Sequence, residues 1–138
     1  METTALHAEW KPRGRVTLDG ESELAFPQVP TGPGAYELRL THGGEVSAYV
    51  GETDNLRRRL SHYRNPGPTQ RTNIRMNEEW RRRLASDWDA LLFTCDVASI
   101  DREADPLSLD LNDKYARQLV ESAHILHLRK AGIDLLNA

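Results

Sequence analysis

The chain has 138 residues, 38% of them apolar and 28% charged, with a formal net charge of -3. That length predicts one domain that buries roughly two-thirds of its unfolded surface, and the composition excludes a disordered or membrane-spanning chain. Cys95 is the only cysteine, which excludes an intrachain disulfide and a cysteine-rich zinc site.

Residues 1–33 read as an N-terminal extension. Arg15-Val16-Thr17-Leu18 is a short strand before the Asp19-Gly20 turn, and Pro27, Pro30 and Pro33 make an extended linker. The domain proper is expected over residues 34–138. Ala35 to Leu40 alternates as a half-buried strand does, and His42-Gly43-Gly44-Glu45 turns into a second β-rich run, Val46 to Val50. The pair predicts a hairpin. Asp54 is a good N-cap for a helix over residues 55–64, with Leu56, Leu60 and Tyr63 as its apolar stripe.

Asn65-Pro66-Gly67-Pro68 breaks that helix. A second is expected over residues 72–85, with Ile74 and Trp80 inward. The run from Trp88 to Val97, with Ala90 to Cys95 at its centre, predicts a third strand, and residues 98–113 read as an acidic loop. A strong helix follows over residues 114–130, with Tyr115, Leu119, Ala123 and Leu126 on its apolar face and Gly132 as its C′ residue. Ile133 to Asn137 is a short apolar tail. The order of elements gives an α+β plan, a small three-stranded sheet flanked by helices.

Charge is unevenly spread. Residues 51–85 hold nine arginines against four acids, and residues 86–113 hold one arginine against eight acids. A basic region of this kind binds a polyanion despite the negative total, although two solvated surfaces explain it equally well. No glycine-rich phosphate loop of the GxxxxGK or GxGxxG kind is present, so no nucleotide cofactor is expected. The first ten residues lack the basic start and apolar core of a secretory signal, and no stretch approaches the ~18 apolar residues of a membrane span. The expected compartment is the cytoplasm, with no membrane partner.

Four features stand in order. Gly34-Ala35-Tyr36 opens the first hairpin strand, and Tyr49-Val50-Gly51 closes the second. Asn55 to Tyr63 makes the next helix, with three consecutive arginines. Glu121 sits mid-way along the last helix, and Asn137 ends the terminal Leu135-Leu136-Asn137. The ordered set resembles the GIY-YIG endonuclease superfamily, whose two name-giving motifs stand here as GAY and YVG. The stretch YVGETDNLRRRLSHY is especially similar to the nuclease domain of the excision-repair incision enzyme and of phage homing endonucleases. The resemblance covers residues 34–138 and departs from the family at Ala35, where isoleucine is usual, and at Glu52, where some repair-type members have lysine.

The resemblance implies a three-stranded antiparallel sheet flanked by helices. It implies a metal-dependent endonuclease with Tyr36, Tyr49, Arg59, Tyr63, Glu121 and Asn137 as its catalytic set. The chemistry is coherent. Phosphodiester hydrolysis needs a nucleophilic water, charge stabilisation of the transition state and help for the leaving oxygen. Two tyrosines on adjacent strands can converge on a water, and one used as base needs a cation to lower its pKa from near 10. Arg59 can supply that cation and grip a phosphate. Glu121, a single carboxylate, suits one Mg²⁺ or Mn²⁺ with several waters. Asn137 would orient Glu121 or the backbone around it. Arg57, Arg58, Arg64, Arg71 and Arg75 would track the backbone of a nucleic acid, DNA in the first instance.

Each residue also has a plainer role. Tyr36 and Tyr49 suit any strand, and the arginine run suits a solvated helix face. Glu121 is more telling, because it shares a partly apolar stripe with Ile125 and Leu128, where an unpaired carboxylate is costly. His124 and His127 lack the further ligand that zinc requires. The alternative to an endonuclease is a non-catalytic nucleic-acid-binding module that has kept the fold. A chain without a separate reading domain is weakly specific, dependent on a partner, or a homodimer.

Overall fold

The computed structural model describes residues 1–137. Its core is a hairpin of two nine-residue strands. In chain order from the N-terminus the strands are β1 (Ala5–Arg15), β2 (Thr17–Leu18), β3 (Leu24–Ala25), β4 (Gly34–His42) and β5 (Glu45–Thr53). Helices α1 (Leu56–Arg64) and α2 (Arg71–Ala85) follow, then β6 (Asp89–Asp101), β7 (Leu107–Ser108), α3 (Lys114–Lys130) and β8 (Asp134–Leu135). The main sheet runs β1-β6-β4-β5-β8, with β7 against β6, while β2 and β3 pair separately. Among the described residues all pairings are antiparallel except β8 on β5.

β4 lies near the centre and is buried on both faces, so its alternate residues enter two different cores. Tyr36, Leu38 and Leu40 join Tyr49, Leu92, Leu56, Leu60, Tyr63, Met76 and Trp80 beneath α1 and α2. Ala35 joins Cys95, Ala98, Leu111 and Val120 on the opposite face, where Ala48 and Val50 meet Leu128 of α3. Glu37 also faces α3. It is fully buried and satisfied, taking two hydrogen bonds from Arg39 at 2.6 and 2.9 Å, with the His124 Nε2 at 2.7 Å. His124 in turn stacks on Trp10 at 3.9 Å. That engagement gives the histidine a structural occupation.

The α+β class and the hairpin are as the sequence indicates, but among the described residues the sheet has six strands and not three. Residues expected as a lead-in form β1, an eleven-residue edge strand along β6. The edge is broken by register shifts on either side of Pro12, and Gly14 adopts φ +135° at the second. A proline without an amide donor is tolerated there because the ladder is already interrupted. The acidic stretch is not all loop either, since β6 runs on to Asp101 and β7 pairs with it.

Two local readings change as well. The α1 cap is Asn55, whose side chain accepts from the Arg58 amide at 2.9 Å, while Asp54 pairs with the Arg58 side chain instead. In α3 the apolar face expected to point inward points out. Arg117, Val120 and Leu128 are buried, while Tyr115, Leu119 and Leu126 are exposed.

Candidate active site

Tyr36 lies directly across the ladder from Gly51. The ring occupies the space above that glycine: a Cβ on Gly51 would lie 2.3 Å from the Tyr36 hydroxyl. The glycine of the second motif is thus required by close approach of a side chain. Tyr63 reaches the same point from α1, and its hydroxyl is 2.7 Å from that of Tyr36. Arg59 stands one helical turn before Tyr63. Its Nε donates to the Tyr36 hydroxyl at 3.0 Å, and its guanidinium lies 4.7 Å above the Tyr63 ring. Hydrogen bond and cation–π contact together fix the plane of that cation.

Tyr49 completes the cluster in a different way. Its ring meets Tyr63 edge-on at 6.2 Å and Trp80 at 5.6 Å. Among the described residues its hydroxyl has no hydrogen-bond partner, yet it is not one of the enclosed unpartnered polar atoms, which are Trp80 Nε1 and Asp96 Oδ1. The Tyr49 hydroxyl therefore reaches solvent. Burial pushes the Tyr36 phenol up to about 12, with Arg59 pulling the other way. Burial likewise raises Tyr63, and the neighbouring Tyr36 adds to the effect. Arg59 supplies the cation that a tyrosine used as base needs, but at Tyr36 desolvation outweighs it.

Glu121 lies mid-way along α3, half-buried and without a hydrogen-bond partner among the described residues. Burial raises its pKa, and the nearby Glu52 raises it further. Glu52 itself is held by Arg117, whose Nε donates at 2.6 Å. The Arg117 Nη1 also donates to the carbonyls of Leu111 and Asn112 at 3.0 Å each. The sequence does not reveal this buried pair, because its two members lie 65 residues apart. Among the described residues no three His, Cys, Asp or Glu side chains gather as a metal site. Glu121 alone nevertheless fits a divalent ion, being a desolvated carboxylate beside a second negative charge with no cation of its own.

Asn137 makes no hydrogen bond with Glu121 among the described residues. Its Oδ1 accepts from the Val50 amide at 3.0 Å, and its Nδ2 donates to the Val50 carbonyl at 2.6 Å. The side chain thus mimics a strand and extends the β8 pairing to the residue between Tyr49 and Gly51.

The arginines divide. Arg57 donates to the Val29 carbonyl at 3.2 and 2.9 Å. Arg64 donates to the Leu24 carbonyl, and to Asp19 at 2.8 Å. Both therefore tie the N-terminal segment to α1. Arg58 is exposed and paired with Asp54. Arg71 and Arg75 are exposed and form no ion pair among the described residues. Arg71 shares with Arg59, Gln70, Thr72 and Asn73 an open cleft of about 260 Å³ at the start of α2. Asn77, which the sequence reading passed over, holds the end of α1 by donating to the Tyr63 carbonyl at 2.7 Å.

The fold resembles that of bacteriophage T4 EndoII. The match, to a glutamate-to-alanine variant of that protein, has a TM-score of 0.56 and 16% identity over 87% of this chain and 88% of that one. No protein-family model and no curated protein matches the chain. At that identity the likeness is one of fold. No helix among the described residues is long and apolar enough to cross a membrane.

Proposed function

We propose that the chain is a GIY-YIG-type endonuclease that hydrolyses phosphodiester bonds of a nucleic acid, DNA in the first instance, with a single divalent ion. The observation that carries this reading is the convergence of Arg59 on Tyr36 and Tyr63, beside the solvent-facing hydroxyl of Tyr49. The likeness of fold to EndoII, a phage endonuclease, supports the same reading.

The roles follow from the geometry. Tyr36 and Tyr63 stay neutral at physiological pH and act as a scaffold for Arg59. The arginine keeps terminal N–H groups for a non-bridging phosphate oxygen, within the cleft it shares with Arg71. Tyr49 is the tyrosine placed to touch an attacking water, since its hydroxyl is the one not already engaged. The water passes a proton to solvent through the Tyr49 hydroxyl as its oxygen adds to phosphorus and the bond to the 3′ oxygen breaks, and the departing 3′ oxygen takes a proton from solvent. Glu121 would hold a Mg²⁺ or Mn²⁺ ion, which when bound supplies charge neutralisation at the leaving oxygen. Arg71 and Arg75 follow the backbone without reading sequence.

The test is cleavage of end-labelled single- and double-stranded DNA and RNA with and without Mg²⁺ or Mn²⁺. Metal-dependent cutting that disappears in Glu121→Ala supports the endonuclease. Salt-dependent binding without cutting on any substrate supports the non-catalytic module instead.

A further inference from the structure

Helix α3 presents two apolar faces. One, with Val120 and Leu128, packs on the sheet. The other lies on the opposite side, where Tyr115 is 83% exposed, Leu126 61% and Leu119 43%. At 100° per residue these three fall within 40° of one another, a stripe ~16 Å long. Scattered surface leucines need no explanation, but an aligned row on one helix does. The stripe borders a groove of about 430 Å³ between β1 and α3, lined by Leu6, Ala8, Trp10, Ala123 and His127 among others. Projecting apolar side chains and an apolar hollow therefore lie side by side on the same surface.

The charges around the stripe are polarised. Asp110 and Asp113 stand with Lys114 at its N-terminal end, and Asp101, Glu103 and Asp105 precede them with Arg102, which pairs with Asp105, so that end stays net acidic with five acids against two bases. Arg129 and Lys130 stand at its C-terminal end, exposed and without an ion pair among the described residues. We propose that this surface of α3 is the interface of a homodimer, in which two copies pack antiparallel about a two-fold axis between Ser122 and Ala123. Under that axis Leu119 meets Leu126 of the second copy, and Tyr115 meets its Lys130. The basic end of each helix faces the acidic end of the other. A parallel pair would set like charges and like helix ends together. A two-fold contact needs a self-complementary surface, and a row of knobs beside a hollow meets that need. Glu121 points to a different side of the helix from this stripe, so pairing leaves it open.

The experiment is light scattering on the purified full chain over a concentration series, with Leu119→Lys and Leu126→Glu, both exposed positions. The proposal expects twice the 15.7 kDa chain mass for the wild type and the single-chain mass for each variant, with unchanged circular dichroism. Mixing the two variants restores the doubled mass, because Lys at 119 then meets Glu at 126 of the other copy. A wild-type chain that stays monomeric to its solubility limit overturns the proposal, which leaves the stripe to a different partner. A doubled mass that survives both substitutions, or a mixture that fails to re-pair, overturns it as well.

Discussion

The Nε of Arg59 donates to the hydroxyl of Tyr36 at 3.0 Å, joining the first helix to the first strand of the hairpin across a buried aromatic cluster. The same hydroxyl is 2.7 Å from that of Tyr63. The result is an arginine whose orientation is set by two phenols that are themselves held neutral. The fourth member, Tyr49, shares the packing but keeps its hydroxyl free. This division predicts different behaviour for the three tyrosines.

Tyr49→Phe removes only a solvent-facing hydroxyl. Cleavage should fall by about 10²–10⁴, the usual worth of a positioned proton-transfer group, with Tm nearly unchanged. Tyr63→Phe instead leaves Tyr36 short of one buried partner and should cost about 1–3 kcal/mol of stability in urea unfolding. If Tyr49→Phe cut at the wild-type rate, its hydroxyl would have no part in the reaction.

Alkaline stability follows from the buried phenol. Tyr36 holds its proton to about 12 when folded, against 10.0 for an ordinary tyrosine. The folded state binds the proton more tightly, so the contribution is complete below pH 10 and is lost as the pH climbs from about 10 to 12. Urea unfolding across that window should show a steeper decline for the wild type than for Tyr36→Phe.

Gly51→Ala would place a methyl 2.3 Å from the Tyr36 hydroxyl, and the neighbouring ring atoms lie at 2.4 and 2.9 Å. The ring cannot move without surrendering both Arg59 and Tyr63. Overpacking of this kind costs about 1–3 kcal/mol, and cleavage should fall further than the loss of folded protein explains. Chemical denaturation beside specific activity separates the two effects.

Asn137 completes a ladder to Val50 with its side chain. Asn137→Ala leaves a donor and an acceptor of β5 without partners, at about 1–3 kcal/mol. Asn137→Asp can still accept from the Val50 amide but cannot donate to its carbonyl, so it should be only partly rescued. Equal stability for wild type and alanine variant would show that water replaces the side chain at no cost.

Much of this arrangement was legible in the sequence because it is local. Alternation marked β4 and β5, the glycine pair at 43–44 marked their turn, and the proline cluster separated α1 from α2. The missed parts depend on distant pairing. β1 carries charged and polar residues at most exposed positions and contains Pro12 and Gly14, so only its fit to β6 makes it a strand. In α3 the periodicity was ambiguous because both faces are apolar, and Arg117 is drawn inward by Glu52 and two carbonyls where a hydrophobic residue would be expected. The order of the motif residues was readable, but which tyrosine stays free was not, since that depends on the reach of Tyr63 across to Tyr36. Arg57 and Arg64 looked like surface cations until the segment around Leu24 and Val29 took their hydrogen bonds.

Glu121 gives the most direct test. Its carboxylate is disfavoured by burial and by Glu52, so neutralising it should stabilise the apo fold at neutral pH while removing the site for the ion. The measurement is Mg²⁺-dependent cleavage of labelled DNA by wild type and Glu121→Gln, with Tm and DNA affinity recorded on the same samples. The account predicts metal-dependent cutting by the wild type, and a variant that binds DNA equally well, melts higher and does not cut. A variant that cuts at the wild-type rate would contradict it.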